Sequence, residues 1–185
     1  LLRCFSERAD CGIAGSRLMY PDGRLQEAGG LVFADGSCWT TGRFESRDAA
    51  EFRYRRATDY VFGAALLIRR EIFARVGGFD ERYAPAYYED ADLAFAVREL
   101  GLRVYYEPAS TVIHCEGISA GTDLGSGMKR YQLVNQATFV DKWSVELTRQ
   151  PPAGTSLERA MRWHSRGRVL VVDAMTPEPA RDSGS

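Results

Sequence analysis

The stretch YYEDADLAFAVRELG, residues 87–101, decides the fold. Its apolar side chains recur at steps of three and four residues, at Leu93, Ala94, Val97 and Leu100. This spacing puts them on one face and predicts an amphipathic helix over residues 89–100. Gly101 follows at once and predicts the end of the helix, because glycine adopts a left-handed conformation without strain.

Apolar segments on both sides of this helix predict strands. Residues 60–68 are almost entirely apolar, which is typical of a strand buried on both faces of a sheet. After the helix, residues 102–106 and 110–114 predict two short strands separated by Glu107-Pro108. Pro21-Asp22-Gly23 is a turn signal and predicts a hairpin. We therefore expect an α/β fold.

Three further segments complete the predicted organisation. Residues 35–58 are polar, rich in arginine and without a clear period, which predicts a long loop with one helical turn near residues 49–52. Residues 69–76 predict a short helix that ends at Gly77-Gly78. Residues 131–143 predict a longer helix with several apolar side chains available for burial.

Composition and charge exclude several classes of function. The 185 residues include 24 Lys and Arg against 25 Asp and Glu, a net charge of −1. Such a balance provides no general attraction to nucleic acid or to anionic membranes. No apolar run reaches the roughly 18–20 residues that span a bilayer, and the four cysteines lack the spacing of a zinc site. Because the sequence begins without Met, we expect it to be a piece of a longer protein.

Three carboxylates, Glu89, Asp90 and Asp92, crowd the start of the predicted central helix. Acids are favoured at helix N-termini by capping and by the helix dipole, so this cluster has a purely structural explanation. Crowded acids also repel one another, which raises the pKa of one of them and suits it to act as a base. Both explanations stay open on spacing alone, and for Asp92 we favour capping of the helix.

Several blocks, taken in order, resemble the C-terminal half of family-2 glycosyltransferases. They are GAALLIRR (63–70), VGGFDE (76–81), YEDADL (88–93), GLRV (101–104), Pro108-Ala109 and His114. The segment PDGRLQEAGG, residues 21–30, is similar to a stretch of the rhamnosyltransferase-like members. The resemblance covers residues 1–143.

The resemblance implies a fold and an arrangement of domains. It implies the mixed-sheet, Rossmann-like A-type glycosyltransferase fold, in partial form. The nucleotide-binding half with its Asp-x-Asp metal motif would precede Leu1 and is missing. Residues 1–147 would be the acceptor-side half of the domain, and residues 148–167 a linker with a short helix. Residues 168–185, with the apolar run VLVV, resemble the first strand and loop of a B-type glycosyltransferase domain.

The resemblance also implies roles for individual residues. Asp90 matches the catalytic base, which takes the proton of an acceptor hydroxyl while that oxygen attacks the anomeric carbon with inversion. Glu89 would bind the acceptor or orient the base, and Gly63 would let the backbone approach the sugar. His114 matches a position that contacts a metal or the diphosphate. Tyr88 and Trp39 are candidates to stack on sugar rings, although both suit a core equally well.

The implied parent enzyme is a hexosyl-type transferase in cell-surface polysaccharide synthesis, and we expect the present chain alone to be inactive. Its partners would be a nucleotide-sugar donor and a glycan acceptor, without nucleic acid. The complete enzyme would use a divalent cation, Mn²⁺ or Mg²⁺, which this chain would not bind tightly by itself. We expect a cytoplasmic location, including peripheral association with the inner face of the membrane through the parent.

Two other functions compete with this one. The chain could be a non-catalytic module, derived from a transferase fold, that binds a glycan or a partner protein. It could also be a metal-dependent hydrolase, because three acids and a histidine suffice in principle to bind a metal ion. That site would consist of Glu89, Asp90, Asp92 and His114.

Overall fold

The computed structural model describes residues 1–115, 130–165 and 167. The α-helices are α1 (Leu2–Glu7), α2 (Arg70–Arg75), α3 (Glu89–Glu99), α4 (Arg130–Lys142), α5 (Ser144–Leu147) and α6 (Leu157–Ala160). The strands are β1 (Cys11–Met19), β2 (Leu25–Glu27), β3 (Gly30–Val32), β4 (Cys38–Thr40), β5 (Arg56–Thr58), β6 (Leu66–Ile68) and β7 (Arg103–Ile113). Three 3-10 turns lie at Ala50–Phe52, Gly63–Ala65 and Glu81–Tyr83. The predicted strand over residues 168–174 lies outside the described residues.

The main sheet is mixed, as predicted. Its strand order is β2-β1-β7-β5, and β6 also pairs with β1. Strands β1 and β7 run parallel, whereas the pairs of β1 with β2, β1 with β6 and β5 with β7 are antiparallel. A second, two-stranded sheet consists of β3 and β4. The α/β class is confirmed.

The predicted hairpin is also confirmed, for the reason given by its sequence. Met19 of β1 pairs with Leu25 of β2 across the turn. Asp22 Oδ1 accepts a hydrogen bond from the Arg24 backbone N–H at 3.0 Å. Gly23 has φ +86°, a conformation that glycine adopts without steric cost.

The two short strands predicted around Glu107-Pro108 are one strand, β7. The prediction of a break reflects a real interruption, since the pairing with β1 jumps from Ser16↔Glu107 to Arg17↔Thr111. Pro108 lies in this jump, where its missing N–H removes no hydrogen bond from the ladder. The strand continues past the proline because only the pairing, and not the strand direction, is interrupted.

The prediction of one buried strand over residues 60–68 is wrong. Only Leu66–Ile68 is a strand, it is half-buried, and Gly63–Ala65 forms a 3-10 turn before it. The backbone N–H groups of Phe62 and Gly63 donate to the carboxylates of Glu27 and Asp90 and not to a neighbouring strand. The loop predicted over residues 35–58 is likewise too simple, because it contains β4 and β5, each too short to give a period.

Helix α3 packs directly against the sheet. A Cβ built on Gly12 of β1 would lie 2.3 Å from Val97 Cγ1 and 2.9 Å from Leu102 Cβ, so only glycine permits this approach. On its other side α3 meets α4 and the residue that follows it through an aromatic cluster, in which Phe95 contacts Phe139 and Trp143 edge-on. The helix is thereby fixed between the sheet and the C-terminal helices.

Among the described residues, no helix is long and apolar enough to cross a bilayer.

Candidate active site

Asp90 lies in the first turn of α3 and is half-buried. Its Oδ1 accepts the Ala91 backbone N–H at 2.8 Å, and its Oδ2 accepts the Gly63 backbone N–H at 3.2 Å. Burial, followed by the neighbouring charge of Glu89, raises the pKa of the Asp90 carboxyl to about 6. No arginine or lysine pairs with Asp90 in the described part of the chain, so its charge is not neutralised there.

The turn before Asp90 has an unusual backbone. Tyr87 and Tyr88 are successive left-handed residues, with φ +74° and +73°. For bulky residues this conformation is strained and persists only where the surroundings enforce it. The buried Asn135 of α4 supplies that enforcement, since its Nδ2 donates to the carbonyls of Tyr83, Ala86 and Tyr87 at 2.8–2.9 Å.

Glu89 has an incompletely satisfied carboxylate. Its Oε2 is buried and has no hydrogen-bond partner among the residues that the structure describes. An unpaired buried oxygen costs free energy, on the order of 1–3 kcal/mol, unless another group donates to it. Glu89 directly precedes Asp90, and its charge acts on the Asp90 carboxyl. A hydroxyl group that donated a hydrogen bond to Glu89 Oε2 would therefore lie near the candidate base.

Glu27 is a second carboxylate near Asp90 that sequence reasoning missed. It is 1% exposed on β2, and both its oxygens lie 3.2 Å from the Phe62 backbone nitrogen. Burial raises the pKa of Glu27 well above its usual range, and the Asp90 charge raises it further. The only signal in the sequence was an acid directly before Ala28-Gly29-Gly30, a segment whose glycines let the backbone pass close to another group.

Gly63 is exposed beside Asp90, and its surroundings exclude tight strand packing as its explanation. A Cβ built on Gly63 would meet only Asp90 Cβ, at 3.8 Å, which is ordinary contact. The described residues therefore leave open space above this part of the backbone.

His114 directly follows β7, and both its side chain and its backbone have hydrogen-bond partners. Its Nδ1 is 2.9 Å from Gln26 Oε1, and its backbone N–H donates to the Met19 carbonyl. Residues 1–115, 130–165 and 167 contain no group of three or more His, Cys, Asp or Glu side chains arranged to bind a metal ion. The metal cluster predicted for the hydrolase, with Glu89, Asp90, Asp92 and His114, is therefore not formed.

Asp92 does not cap the helix as predicted. Tyr88 occupies the N-cap position, and the Asp92 side chain points toward the C-terminal helices. It accepts hydrogen bonds from Tyr83 Oη at 3.1 Å and Trp143 Nε1 at 2.7 Å, and it pairs with Lys142 at 2.8 Å. Asp92 is thus a structural carboxylate, separated in role from its neighbour Asp90.

The two aromatic candidates lie in different surroundings. Tyr88 is buried in the core, with its Oη donating to the Gly36 carbonyl at 3.0 Å and its ring 5.3 Å from that of Phe139. Trp39 is 58% exposed on β4. Its neighbour Cys38 packs against the core that contains Tyr88, so strand alternation directs Trp39 to the opposite face. The structure does not bring Trp39 to the Asp90 side.

Comparison with known proteins gives related sequences and a related fold. No family model matches the chain. It is 35% identical over 107 residues to the N-acetylglucosaminyl-diphospho-decaprenol L-rhamnosyltransferase of Mycobacterium tuberculosis, covering 57% of this chain and 33% of that protein. It is 31% identical to the O-antigen biosynthesis protein RfbC of Myxococcus xanthus, covering 64% of this chain and 10% of that protein. The chain thus spans a third or less of these relatives.

A solved structure has the same fold. The crystal structure of GalNAc-T7 with UDP, GalNAc and Mn²⁺ matches 74% of this chain and 27% of its own, with a TM-score of 0.50 and 16% sequence identity. At that identity the match supports the A-type architecture alone, including its mixed sheet.

Proposed function

We propose that this chain, which is family-2 glycosyltransferase-like and has an A-type fold, forms the acceptor side of a sugar-transfer site. The reaction moves a sugar from a nucleotide-sugar donor to a hydroxyl group of a glycan acceptor. The observation that carries the proposal is the Asp90 carboxylate. It is oriented by two backbone N–H groups, lies beside an exposed glycine, and has a pKa raised to about 6 without a cationic partner among the described residues.

Asp90 would act as the general base. It accepts the proton of the acceptor hydroxyl while that oxygen forms a bond to the anomeric carbon. The bond from that carbon to the diphosphate breaks, and its electron pair leaves with the nucleoside diphosphate. Attack opposite the leaving group inverts the anomeric configuration. A carboxylate with a pKa near 6 is deprotonated at neutral pH and is more basic than an ordinary aspartate.

Two neighbours would position the substrate. Glu89 Oε2 lacks a donor among the described residues, and a sugar or acceptor hydroxyl would supply one. Open space at Gly63 lets a sugar ring approach the backbone next to Asp90. Burial and the neighbouring charge of Glu89 keep the Asp90 pKa high, while the charge of Asp90 in turn helps to raise the pKa of the buried Glu27. Sugar stacking by Tyr88 or Trp39 stays a prediction from the resemblance, which the burial of Tyr88 and the orientation of Trp39 do not favour.

The relatives support the substrate class in the same proposal. One is named a rhamnosyltransferase and another an O-antigen biosynthesis protein, which favours a hexosyl-type donor and cell-surface polysaccharide synthesis. We also propose a cytoplasmic location at the inner face of the membrane, no nucleic-acid partner, and no activity of residues 1–185 alone. The domain boundaries at residues 147 and 167 remain predictions.

A divalent cation belongs to the proposal only for the complete enzyme. The solved relative contains Mn²⁺, but the described residues of this chain provide no cluster of three ligands, and His114 Nδ1 lies within hydrogen-bond distance of Gln26. The described residues therefore do not fit a cation site by themselves. Binding of a cation by His114 stays a prediction.

The decisive experiment compares Asp90→Asn with Asp22→Asn in the full-length protein, with nucleotide-sugar and acceptor supplied. Asp22 is a matched control because it is an exposed aspartate in the hairpin turn, paired with Arg24. We expect Asp90→Asn to lower kcat about 10²–10⁴-fold, as for loss of a general base, while Asp22→Asn retains activity. The anomeric coupling constant of the product reports inversion. Unchanged turnover in Asp90→Asn would refute the assignment, and glycan binding without any turnover in the wild type would favour the non-catalytic module.

A further inference from the structure

A cavity of about 350 Å³ lies away from the Asp90 site and is lined by four arginines. These are Arg17 of β1 and Arg47, Arg53 and Arg55 from the segment before β5. Asp48 and Glu107 also line the cavity, so the arginines outnumber the acids by two. None of the candidate site residues discussed above lines it, and the sequence alone gave no role to this group of arginines.

On one wall of the cavity the charged side chains are already paired with one another. Arg55 pairs with Glu107 and also with Glu7 of α1 at 2.8 Å. The second oxygen of Glu107 accepts the Ala109 backbone N–H at 3.1 Å. Glu107 is buried and Arg55 largely so, and this wall presents a satisfied ion pair. Because these charges neutralise one another, this wall contributes little attraction for a charged ligand.

Other residues that line the cavity carry positive charge that is not compensated. Arg17 donates from Nε and Nη2 to Thr111 Oγ1 at 3.2 and 3.1 Å, and from Nη1 to the Arg47 carbonyl at 3.3 Å. All of these acceptors are neutral. They fix the guanidinium in direction but leave its charge unpaired, because no carboxylate lies within ion-pair distance in the described chain.

Arg53 adds a second unpaired charge. It is exposed, and its guanidinium has neither a hydrogen bond nor an ion pair with any described residue. Arg47 is only loosely paired, with its Nε 3.7 Å from Asp48 Oδ1 and both side chains more than half exposed. Exposed pairs of this kind contribute little, about 0–1 kcal/mol, so Arg47 can turn toward a better acceptor at small cost.

We propose that this arginine cavity binds a phosphoryl group. Guanidinium groups donate paired N–H bonds that match phosphate oxygens. The lining arginines come from β1 and from separate positions of the segment before β5, so the cavity offers several guanidinium groups to one anion. Two unpaired positive charges also suit a phosphoryl group, which carries about −1.5 to −2 as a monoester at neutral pH and one negative charge as a diester. The volume is at the lower end for small-molecule sites, roughly 300–1,000 Å³.

The phosphoryl group could belong to a soluble compound or to a lipid headgroup, and the two sources are separable. The wild-type chain is titrated with inorganic phosphate by calorimetry. In parallel it is sedimented with vesicles of phosphatidylglycerol and with vesicles of phosphatidylcholine alone. We expect saturable binding in at least one arm. Binding of phosphate without vesicle binding identifies a soluble ligand, whereas vesicle binding that requires phosphatidylglycerol identifies a lipid.

Variants connect that binding to the cavity. Arg53→Gln removes an exposed, unpaired charge and leaves the fold intact, and the double variant Arg17→Gln/Arg53→Gln removes both. The matched control is Arg70→Gln/Arg75→Gln, which removes the same charge from exposed positions on α2. Loss of a charge-assisted bond predicts a fall in affinity of about tenfold or more for Arg53→Gln, and a larger fall for the double variant, with the control unchanged.

Three outcomes would overturn the proposal. The first is a wild type that binds neither phosphate nor phosphatidylglycerol vesicles at millimolar probe. The second is binding that Arg53→Gln leaves unchanged. The third is binding that the control pair reduces as much as the cavity variants do, which would indicate a general electrostatic effect. Circular dichroism of each variant verifies folding, and Arg53→Gln remains decisive if the double variant unfolds.

Discussion

Asp90 and Asp92 lie two positions apart but have different roles, because different groups donate hydrogen bonds to their carboxylates. Asp92 receives Tyr83 Oη, Trp143 Nε1 and the Lys142 ammonium, so its charge is satisfied inside the protein. Asp90 receives only backbone N–H groups and lies next to another carboxylate, so its charge is disfavoured. A helical step of two residues turns side chains to different faces, and this turn separates a structural acid from a candidate base.

We expect the catalytic efficiency to depend on pH through the protonation of Asp90. If Asp90 is the base, kcat/KM rises with pH in proportion to its deprotonated form, reaches half of its plateau near the Asp90 pKa of about 6, and levels off above that pH. Glu89 raises the Asp90 pKa, so Glu89→Gln should shift this acid limb to lower pH. The measurement is kcat/KM between pH 4.5 and 8, roughly the range over which such a carboxyl titrates. The exposed Glu71→Gln serves as the control, and a limb that stays in place in Glu89→Gln would contradict the prediction.

Glu27 gives a prediction about stability. Its pKa in the folded protein is raised above the ordinary value of 4.5, so the folded state retains this proton to higher pH than the unfolded state does. Between the two pKa values the free energy of unfolding therefore falls as pH rises. Glu27→Gln should make that fall smaller, leaving the part that comes from the raised pKa of Asp90, and urea denaturation across pH 5 to 8, about the range concerned, measures it. The exposed Glu99→Gln is the control, and an unaltered slope in Glu27→Gln would exclude the effect.

At the scale of elements, α4 holds the turn that presents the site. Its Asn135 binds three carbonyls of residues 83–87, and Lys142 bridges Asp80 and Asp92 at 2.9 and 2.8 Å. Trp143, directly after the helix, binds Asp92 as well. The left-handed pair Tyr87-Tyr88 is therefore enforced by an element about 50 residues later in the chain.

We expect Asn135→Ala to lower the free energy of unfolding by about 1–3 kcal/mol, because buried carbonyls would lose their donor. Activity should fall further than stability explains, since the turn that carries Glu89 and Asp90 would relax. Gln132→Ala on the same helix is the control. Urea denaturation measures the free energy of unfolding. Kinetics at a temperature where both variants are folded measures the loss of activity. Equal stability of Asn135→Ala and wild type would argue against this bracing.

At the scale of the whole molecule, close packing of α3 on β1 determines how far the site lies from the sheet. Gly12 permits that approach, whereas Gly63 faces open space. The C-terminal residues add a second attachment. Gln150 Nε2 donates to the Val32 carbonyl at 3.2 Å, the Pro151 carbonyl accepts the Ala34 backbone N–H at 2.9 Å, and the buried Ala160 belongs to a small apolar cluster with Leu31 and Phe33. Residues 148–165 are thus packed on the preceding part of the chain.

These two glycines form a matched pair of variants. Gly12→Ala should destabilise the fold by about 1–3 kcal/mol or more, as overpacking does, because its Cβ would overlap Val97 and the Leu102 Cβ. Gly63→Ala should leave stability near that of wild type and reduce sugar transfer, because its methyl group projects into the proposed substrate space. Thermal unfolding and transfer rates separate the two effects. A strongly destabilised Gly63→Ala would contradict the open space above Gly63.

Local patterns in the sequence determined the helices α3 and α4 and the hairpin at residues 21–24, because periodicity and turn chemistry act over a few residues. Asp90 was identified as a candidate base by the resemblance of its sequence block, because spacing alone left helix capping open as an explanation. The tertiary structure alone decided that Glu27 would face Asp90 across 63 positions of sequence, that residues 60–68 would break into a turn, and that Asn135 would hold the strained tyrosines. These features depend on strand register and on helix packing between distant segments, which no short window contains. Contacts between distant segments also distinguish the two aspartates. Asp92 is paired inside the core, whereas Asp90 has no cationic partner among the described residues.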